Sequence, residues 1–194
     1  MIRALMILIC VLTTAVFSVA ADPPPASPSP TPAPAPARAK YLITAADDFI
    51  VDVYHNGKSV PDSKRTLLRE IHGATVERID VEVKPGDWLV FNVVNNRMRW
   101  GGARYFGVAG CYAQNEFGFV SRPDQGSWSV CDAPRDVDRF ISEKTYLRHQ
   151  PAQEIKEPWG AGDELMREYA GSSWQGAPVW GHSRNTWIKM IVED

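Results

Sequence analysis

The sequence predicts a mainly β, antiparallel fold, and three observations carry that prediction. The stretch 75–112 holds three apolar runs divided by turn chemistry. Val76, Ile79, Val81 and Val83 form the first, Trp88, Val90 and Phe91–Val94 the second, and residues 105–112 the third. A Pro85-Gly86-Asp87 turn divides the first two, and an Asn-, Arg- and Gly-rich loop precedes the third. Short apolar runs bounded by such breakers read as strands. Residues 49–54 alternate, with Phe49, Val51 and Val53 on one face and Ile50, Asp52 and Tyr54 on the other; a period of two is that of a strand. The next four residues, His55-Asn56-Gly57-Lys58, contain Asn-Gly. That pair suits a hairpin turn, in which both central residues take positive φ.

The remaining elements follow in order. The first 21 residues read MIRALMILICVLTTAVFSVAA, with one basic residue, Arg3, an apolar stretch from Ala4 to Val16, and small residues at Ser18, Ala20 and Ala21. This predicts a secretory signal peptide over 1–20, cut after Ala20 or Ala21; an uncleaved membrane anchor is the alternative. Ile9 stands where a lipoprotein cysteine at Cys10 needs a small residue. Residues 21–39 read ADPPPASPSPTPAPAPARA. Proline fixes φ and removes the backbone donor, so this is an extended linker. It acts as a stalk open to O-glycosylation at Ser27, Ser29 and Thr31, or else as a ligand for a proline-binding module.

The folded domain is expected over 40–194. Lys40–Ala45 begins the first strand, and Ala46-Asp47-Asp48 is read as a polar interruption. Ser59-Val60 starts the return strand after the hairpin turn, and Pro61 stops it. Residues 63–71 (SKRTLLREI) read as a helical turn or an irregular crossover. Residues 120–133 carry a turn and a strand with Trp128, Val130 and Cys131. In 135–147, Val137, Phe140 and Ile141 share one helical face, and a second short helix is predicted over 163–169. Val179-Trp180, a polar turn over 181–185 and a strand over 187–192 close the chain.

Composition bounds the function. A hydrophobic content of 44% permits a real core, and a formal net charge of −2 gives no electrostatic reason to expect nucleic acid or an anionic membrane as partner. No second apolar segment follows the first, so the mature domain is expected to carry no membrane span. With Cys10 in the signal segment, Cys111 and Cys131 remain. In an exported domain they are most simply one disulfide, closing a loop of about 20 residues and contributing roughly 3 kcal/mol. A pair of metal-binding or reactive thiols is the alternative.

Several segments resemble the galactose-binding-like β-sandwich domains found beside rhamnosidases and other glycosidases. AADDFIVDVYHNGKSV is similar to their early hairpin, IDVEVKPGDWLVFNVVNN to their strand–PGD–strand hairpin, RYFGVAGCY to the strand after it, and SSWQGAPVWGHSRNTWIKMIV to their closing strand. The resemblance spans about 40–60, 76–112 and 172–192. It implies an antiparallel jelly-roll β-sandwich, here with one or two short helices in inserts, and sugar binding, calcium-stabilised lectin-like behaviour or a spacer role. The Cys111–Cys131 pair and the charged 135–170 insert fall outside the shared pattern.

Aromatic side chains bind sugars by stacking on a C–H face where polar groups reach the hydroxyls. The candidates are Trp100, Tyr105, Trp128, Trp159 and Trp174. Trp100 is the best of these, because its loop adds Asn96 and Arg99, with Arg104 just beyond, and glycines that permit close approach. Trp88, Trp180 and Trp187 fit strand patterns and read as core. Asp47 and Asp48 offer carboxylates to calcium, though Asp in a turn more often accepts a backbone hydrogen bond. No cofactor is required. Catalytic signatures such as Gly-x-Ser-x-Gly or His-Glu-x-x-His do not occur, and His55, His72, His149 and His182 are scattered. The expectation is therefore a secreted, extracellular or periplasmic binding module, non-catalytic, for carbohydrate at a cell surface or matrix. The alternatives are an adhesion module that binds another protein, and an enzyme of unknown type.

Overall fold

Two antiparallel sheets face each other across one apolar core. The computed structural model describes residues 36–71, 73–94, 104–122, 127–131, 134–145, 150–151, 153–154, 161–172, 174–176, 179–181 and 185–193. In chain order the strands are β1 (Tyr41–Asp47), β2 (Phe49–His55), β3 (Lys58–Ser59), β4 (Arg65–Ile71), β5 (Ala74–Ile79), β6 (Trp88–Val94) and β7 (Arg104–Ala113). There follow β8 (Glu116–Val120), β9 (Trp128–Cys131), β10 (Gln150–Pro151), β11 (Gln153–Glu154), β12 (Val179–Gly181) and β13 (Asn185–Ile191). The helices are α1 (Val137–Ser142) and α2 (Ala161–Tyr169). Among the described residues the first sheet runs β11-β12-β7-β1-β5-β4, with β8 also paired to β7, and the second runs β10-β9-β13-β6-β2-β3.

Burial explains the composition of the central strands. Leu42 and Ala46 of β1, Phe106 and Val108 of β7, Phe91 and Val93 of β6, and Ile188 and Met190 of β13 share the core between the sheets. Phe91 and Phe106 meet across it at 4.7 Å between ring centroids. The opposite face of the first sheet, with Ile43, Ala45, Val76, Ala109 and Cys111, is covered by Leu165, Met166 and Ala170 from α2 and its end. A strand buried on both faces reads as a continuous apolar run, which is why β1 runs through Ala46 to Asp47 with no interruption after Ala45.

Several expectations are corrected. The helical turn expected in 63–71 is confined to one 3-10 turn, Asp62–Lys64, and the rest, Arg65–Ile71, is an edge strand; charged side chains suit an edge, and a bulge at Leu67/Arg69 breaks the strand's alternation. The Pro85-Gly86-Asp87 turn does not close a hairpin. β5 lies in the first sheet and β6 in the second, so the turn carries the chain from one sheet to the other. The sequence reading missed β8, which the Asn115 turn at φ 68° folds back onto β7.

Asn56 and Gly57 take φ of 51° and 76°, as the hairpin requires. Asn56 Nδ2 donates to Asp87 Oδ1 at 2.7 Å, and Asn56 Oδ1 accepts from the Trp88 N–H at 2.9 Å. His55 Nε2 lies 2.8 Å from Asp87 Oδ2, which also accepts from the Lys84 N–H. Desolvation pushes the Asp87 carboxyl up, but the hydrogen bonds from Asn56, Lys84 and His55 outweigh it and hold the group below the usual carboxylate range. His55 is therefore part of a knot that ties the hairpin to the inter-sheet turn.

The expected Cys111–Cys131 disulfide is not formed. Both thiols are buried, with no disulfide between them. Cys111 faces α2 on the first sheet, and Cys131 faces Phe140 and Ile141 of α1 on the second. Packed sheets lie about 10 Å apart, whereas a disulfide needs Cα atoms within about 7 Å. The outward direction of both side chains widens the gap.

Candidate functional site

The outer face of the second sheet, beside α1, carries side chains with binding chemistry. Asp52 of β2 lies opposite Asn92 of β6, Asn92 opposite Trp187 of β13, and Trp187 opposite Cys131 of β9. Directly opposed residues share a face, so a carboxylate, an amide, an indole and a thiol line up across four strands. The next line holds Tyr54, Val90, Lys189 and Ser129.

Asn92 is the unusual member. It is 4% exposed. Its Nδ2 donates to Asp52 Oδ2 at 3.3 Å, which fixes which way the amide points. Its Oδ1 is buried and has no hydrogen-bond partner. An unsatisfied buried acceptor costs about 1–3 kcal/mol, and folded proteins retain few of them. Beside it, the half-buried rings of Tyr54 and Trp187 meet at 6.0 Å between centroids, tilted by 48°. Burial, and after it the Asp52 and Asp138 charges, raise the Tyr54 phenol above its ordinary value, so it remains a proton donor. The face thus combines a flat aromatic surface, an acceptor in need of a donor, a carboxylate and a hydroxyl.

One wall of this face is α1. Phe140 and Ile141, spaced to share a helical face, bury against Val90 and Cys131. Trp88 Nε1 donates to the Ile141 carbonyl at 3.0 Å. Lys189, 2% exposed, donates to the Glu143 carbonyl at 2.6 Å and sits 4.3 Å from the centre of the Phe140 ring. A cation here suits the C-terminal end of the helix, but burial removes its water and lowers its pKa from 10.5 to about 8.

The native state therefore holds fewer protons at Lys189 than the unfolded chain does, from about pH 8 up to 10.5. Stability from this group rises with pH across that window. Burial also raises the Cys111 thiol from 9.0 to about 11, which acts in the opposite direction above about pH 9. The difference in urea midpoint between wild type and Lys189→Met isolates the lysine. Wild type is expected to gain on the variant between pH 7 and pH 10; a constant difference would show that folding does not lower the pKa of Lys189.

The structure distributes the sequence candidates. Trp100, Asn96, Arg99 and Trp159 lie outside the described residues. Arg104 and Tyr105 begin β7, opposite Gly181 and Trp180 of β12. Trp128 is 5% exposed and belongs to the core between the sheets, where it also bounds a cleft of about 300 Å³. Trp174 is buried and donates to Asp163 Oδ1 at 3.2 Å. Trp187, expected in the core, instead stands on the outer face. Asp47 ends β1, and the Asp48 carbonyl accepts from Thr75 Oγ1 at 2.8 Å. Among the described residues no group of three or more His, Cys, Asp and Glu is placed to hold a metal ion, and no helix is long and apolar enough to cross a membrane. The sequence signal for Asn92 was a lone amide inside the apolar run LVFNVV.

No protein-family model, curated protein or solved structure matches the chain.

Proposed function

We propose that the domain is an exported, non-catalytic carbohydrate-binding module, a β-sandwich of jelly-roll type. Its binding surface is the outer face of the second sheet. The observation that carries this reading is the buried Asn92 Oδ1 without a partner, set beside the Tyr54–Trp187 ring pair and the Asp52 carboxylate. A sugar supplies what this arrangement lacks: hydroxyl donors for the amide oxygen and the carboxylate, and a C–H face for the indole. The 95–103 segment follows Val94, two residues past Asn92, so the reading extends to Asn96, Arg99 and Trp100 as further contacts. Asp47 and Asp48 are the carboxylates at which calcium would act.

The test is a glycan-array screen of the purified protein, run with calcium and with a chelator. Specific binding is expected, and Trp187→Ala should weaken it by about 10- to 100-fold, the scale of losing a central aromatic contact. Trp187→Phe, which keeps an aromatic face, should retain most of it. Loss under the chelator would support a calcium ion near Asp47 and Asp48. If the folded protein binds no glycan in either condition, the reading fails and a protein partner takes its place; Phe49, Val51 and Leu67, exposed by 37%, 42% and 59%, favour that alternative.

A further inference from the structure

Edge strands expose unpaired N–H and C=O groups, and proteins normally blunt them. Most edges here are managed. β4 carries Arg65, Arg69 and Glu70 and a bulge at Leu67/Arg69, β3 has two residues, and on β2 the Arg65 guanidinium occupies the Ile50 and Val51 carbonyls. β8 is different. It reads EFGFV, with neither lysine nor proline; its one charge, Glu116, is at its start, its ladder with β7 shifts register at Gly110/Cys111 and Cys111/Ala113, and among the described residues it pairs only with β7.

Two clefts flank this strand. One, of about 300 Å³, is bounded by Trp128 and Met190 from the core side, with Arg38 and Ser127. The other, of about 340 Å³, is bounded by Phe117 and Gln175 on the side that faces α2. Both share the β8 residues Gly118, Phe119 and Val120, together with Arg122. An extended peptide that adds to an edge directs alternate side chains to opposite faces of the sheet, so each cleft would receive every second side chain. The charges also choose a partner. Among the described residues Arg122 lines both clefts and Arg38, whose guanidinium also donates to the Glu193 carbonyl, lines one of them, against a single carboxylate, Glu193.

We propose that the β8 edge is a docking site for an extended acidic segment of another protein, added as a further strand with its acidic side chains directed to Arg122 and Arg38. The site is separate from the face around Asn92, so it stands whether or not that face binds sugar.

The probe is an array of eight-residue peptides that alternate Asp or Glu with each apolar residue, beside the same array built on Lys. Acidic members are expected to bind the full chain at least tenfold more tightly than their basic counterparts. Bound peptide should add hydrogen-exchange protection at Glu116–Val120, and Arg122→Glu should reverse the charge preference while the urea midpoint stays in place. No binding by either array overturns the proposal. So does equal binding of both, added protection confined to other strands, or a charge preference that Arg122→Glu leaves unchanged. Concentration-dependent self-association that protects the same amides would make a second copy of this chain the occupant, and would overturn it too.

Discussion

Arg65→Ala is expected to destabilise the domain by about 3–5 kcal/mol, the range for breaking a buried ion pair by removing one partner. Both side chains of the pair are only 11% exposed. Arg65 holds Glu77 Oε2 through two bonds, of 2.8 and 3.1 Å, and the Ile50 and Val51 carbonyls at 2.7 Å each. Alanine leaves the Glu77 carboxylate buried without its cation. It also uncovers two carbonyls on β2, beyond the reach of the short β3, so soluble aggregates should appear as stability falls. Arg65→Lys should recover little, because an ammonium cannot fork to two carbonyls and a carboxylate together. Arg65→Met combined with Glu77→Leu should recover most of the loss, since replacing both partners removes the stranded charge. Urea unfolding of the four proteins measures this. A loss below about 1 kcal/mol for Arg65→Ala, a value typical of an exposed pair, would sink the account.

Gly118→Ala is expected to cost about 2–3 kcal/mol, the upper part of the range for overpacking. A Cβ at Gly118 would run into the Arg38 carbonyl, a backbone group that cannot swing aside as a side chain can. The segment it would displace is the one that enters the domain. The Arg38 and Ala39 N–H groups donate to the Val83 carbonyl at 2.6 and 3.1 Å, Val83 N–H returns a bond to Ala39 at 3.0 Å, and Lys40 N–H donates to the Cys111 carbonyl at 2.9 Å. Ala39 and Val83 both belong to the core between the sheets. Hydrogen exchange should therefore speed up at Ala39, Lys40 and Val83 before it does in β6 or β13. Uniform loss of protection across all strands would instead point to a general loss of packing.

Much of the fold was legible because local chemistry and tertiary demand agree there. Asn56-Gly57 takes the positive φ its residues permit, Val137, Phe140 and Ile141 share the helical face that α1 buries, and 49–54 is a strand, though its expected two faces are not kept: a register shift between Ile50 and Asp52 puts Ile50 in the core with Val53 and leaves Phe49 and Val51 exposed. Partnership between strands was not legible. Nothing in the Pro85-Gly86-Asp87 turn says whether the chain folds back on one sheet or passes to the other, and that choice decides which faces are inside. The same ignorance produced the disulfide expectation: a spacing in sequence does not reveal that Cys111 and Cys131 look outward from different sheets. It also hid the candidate site. Trp187 and Asn92 sit in strands whose apolar neighbours suit a core, and only the register with Asp52 and Tyr54 places them on one outer face. β4 and β8 escaped because an edge strand needs no continuous apolar pattern.

The knot at Asn56 bears on how freely this sequence can drift. On backbone grounds alone, a turn of this type accepts glycine or aspartate where Asn56 stands. The side chain here works in both directions at once, donating a hydrogen bond to Asp87 and accepting one from the Trp88 N–H. Glycine offers neither group, and an ionised aspartate would set a second negative charge against Asp87. A substitution that ranks as near-silent in an ordinary hairpin would here untie the hairpin from the passage between the sheets. Among descendants of this chain, position 56 should therefore vary less than its place at a loop tip suggests, and change there should come only with compensating change at Asp87.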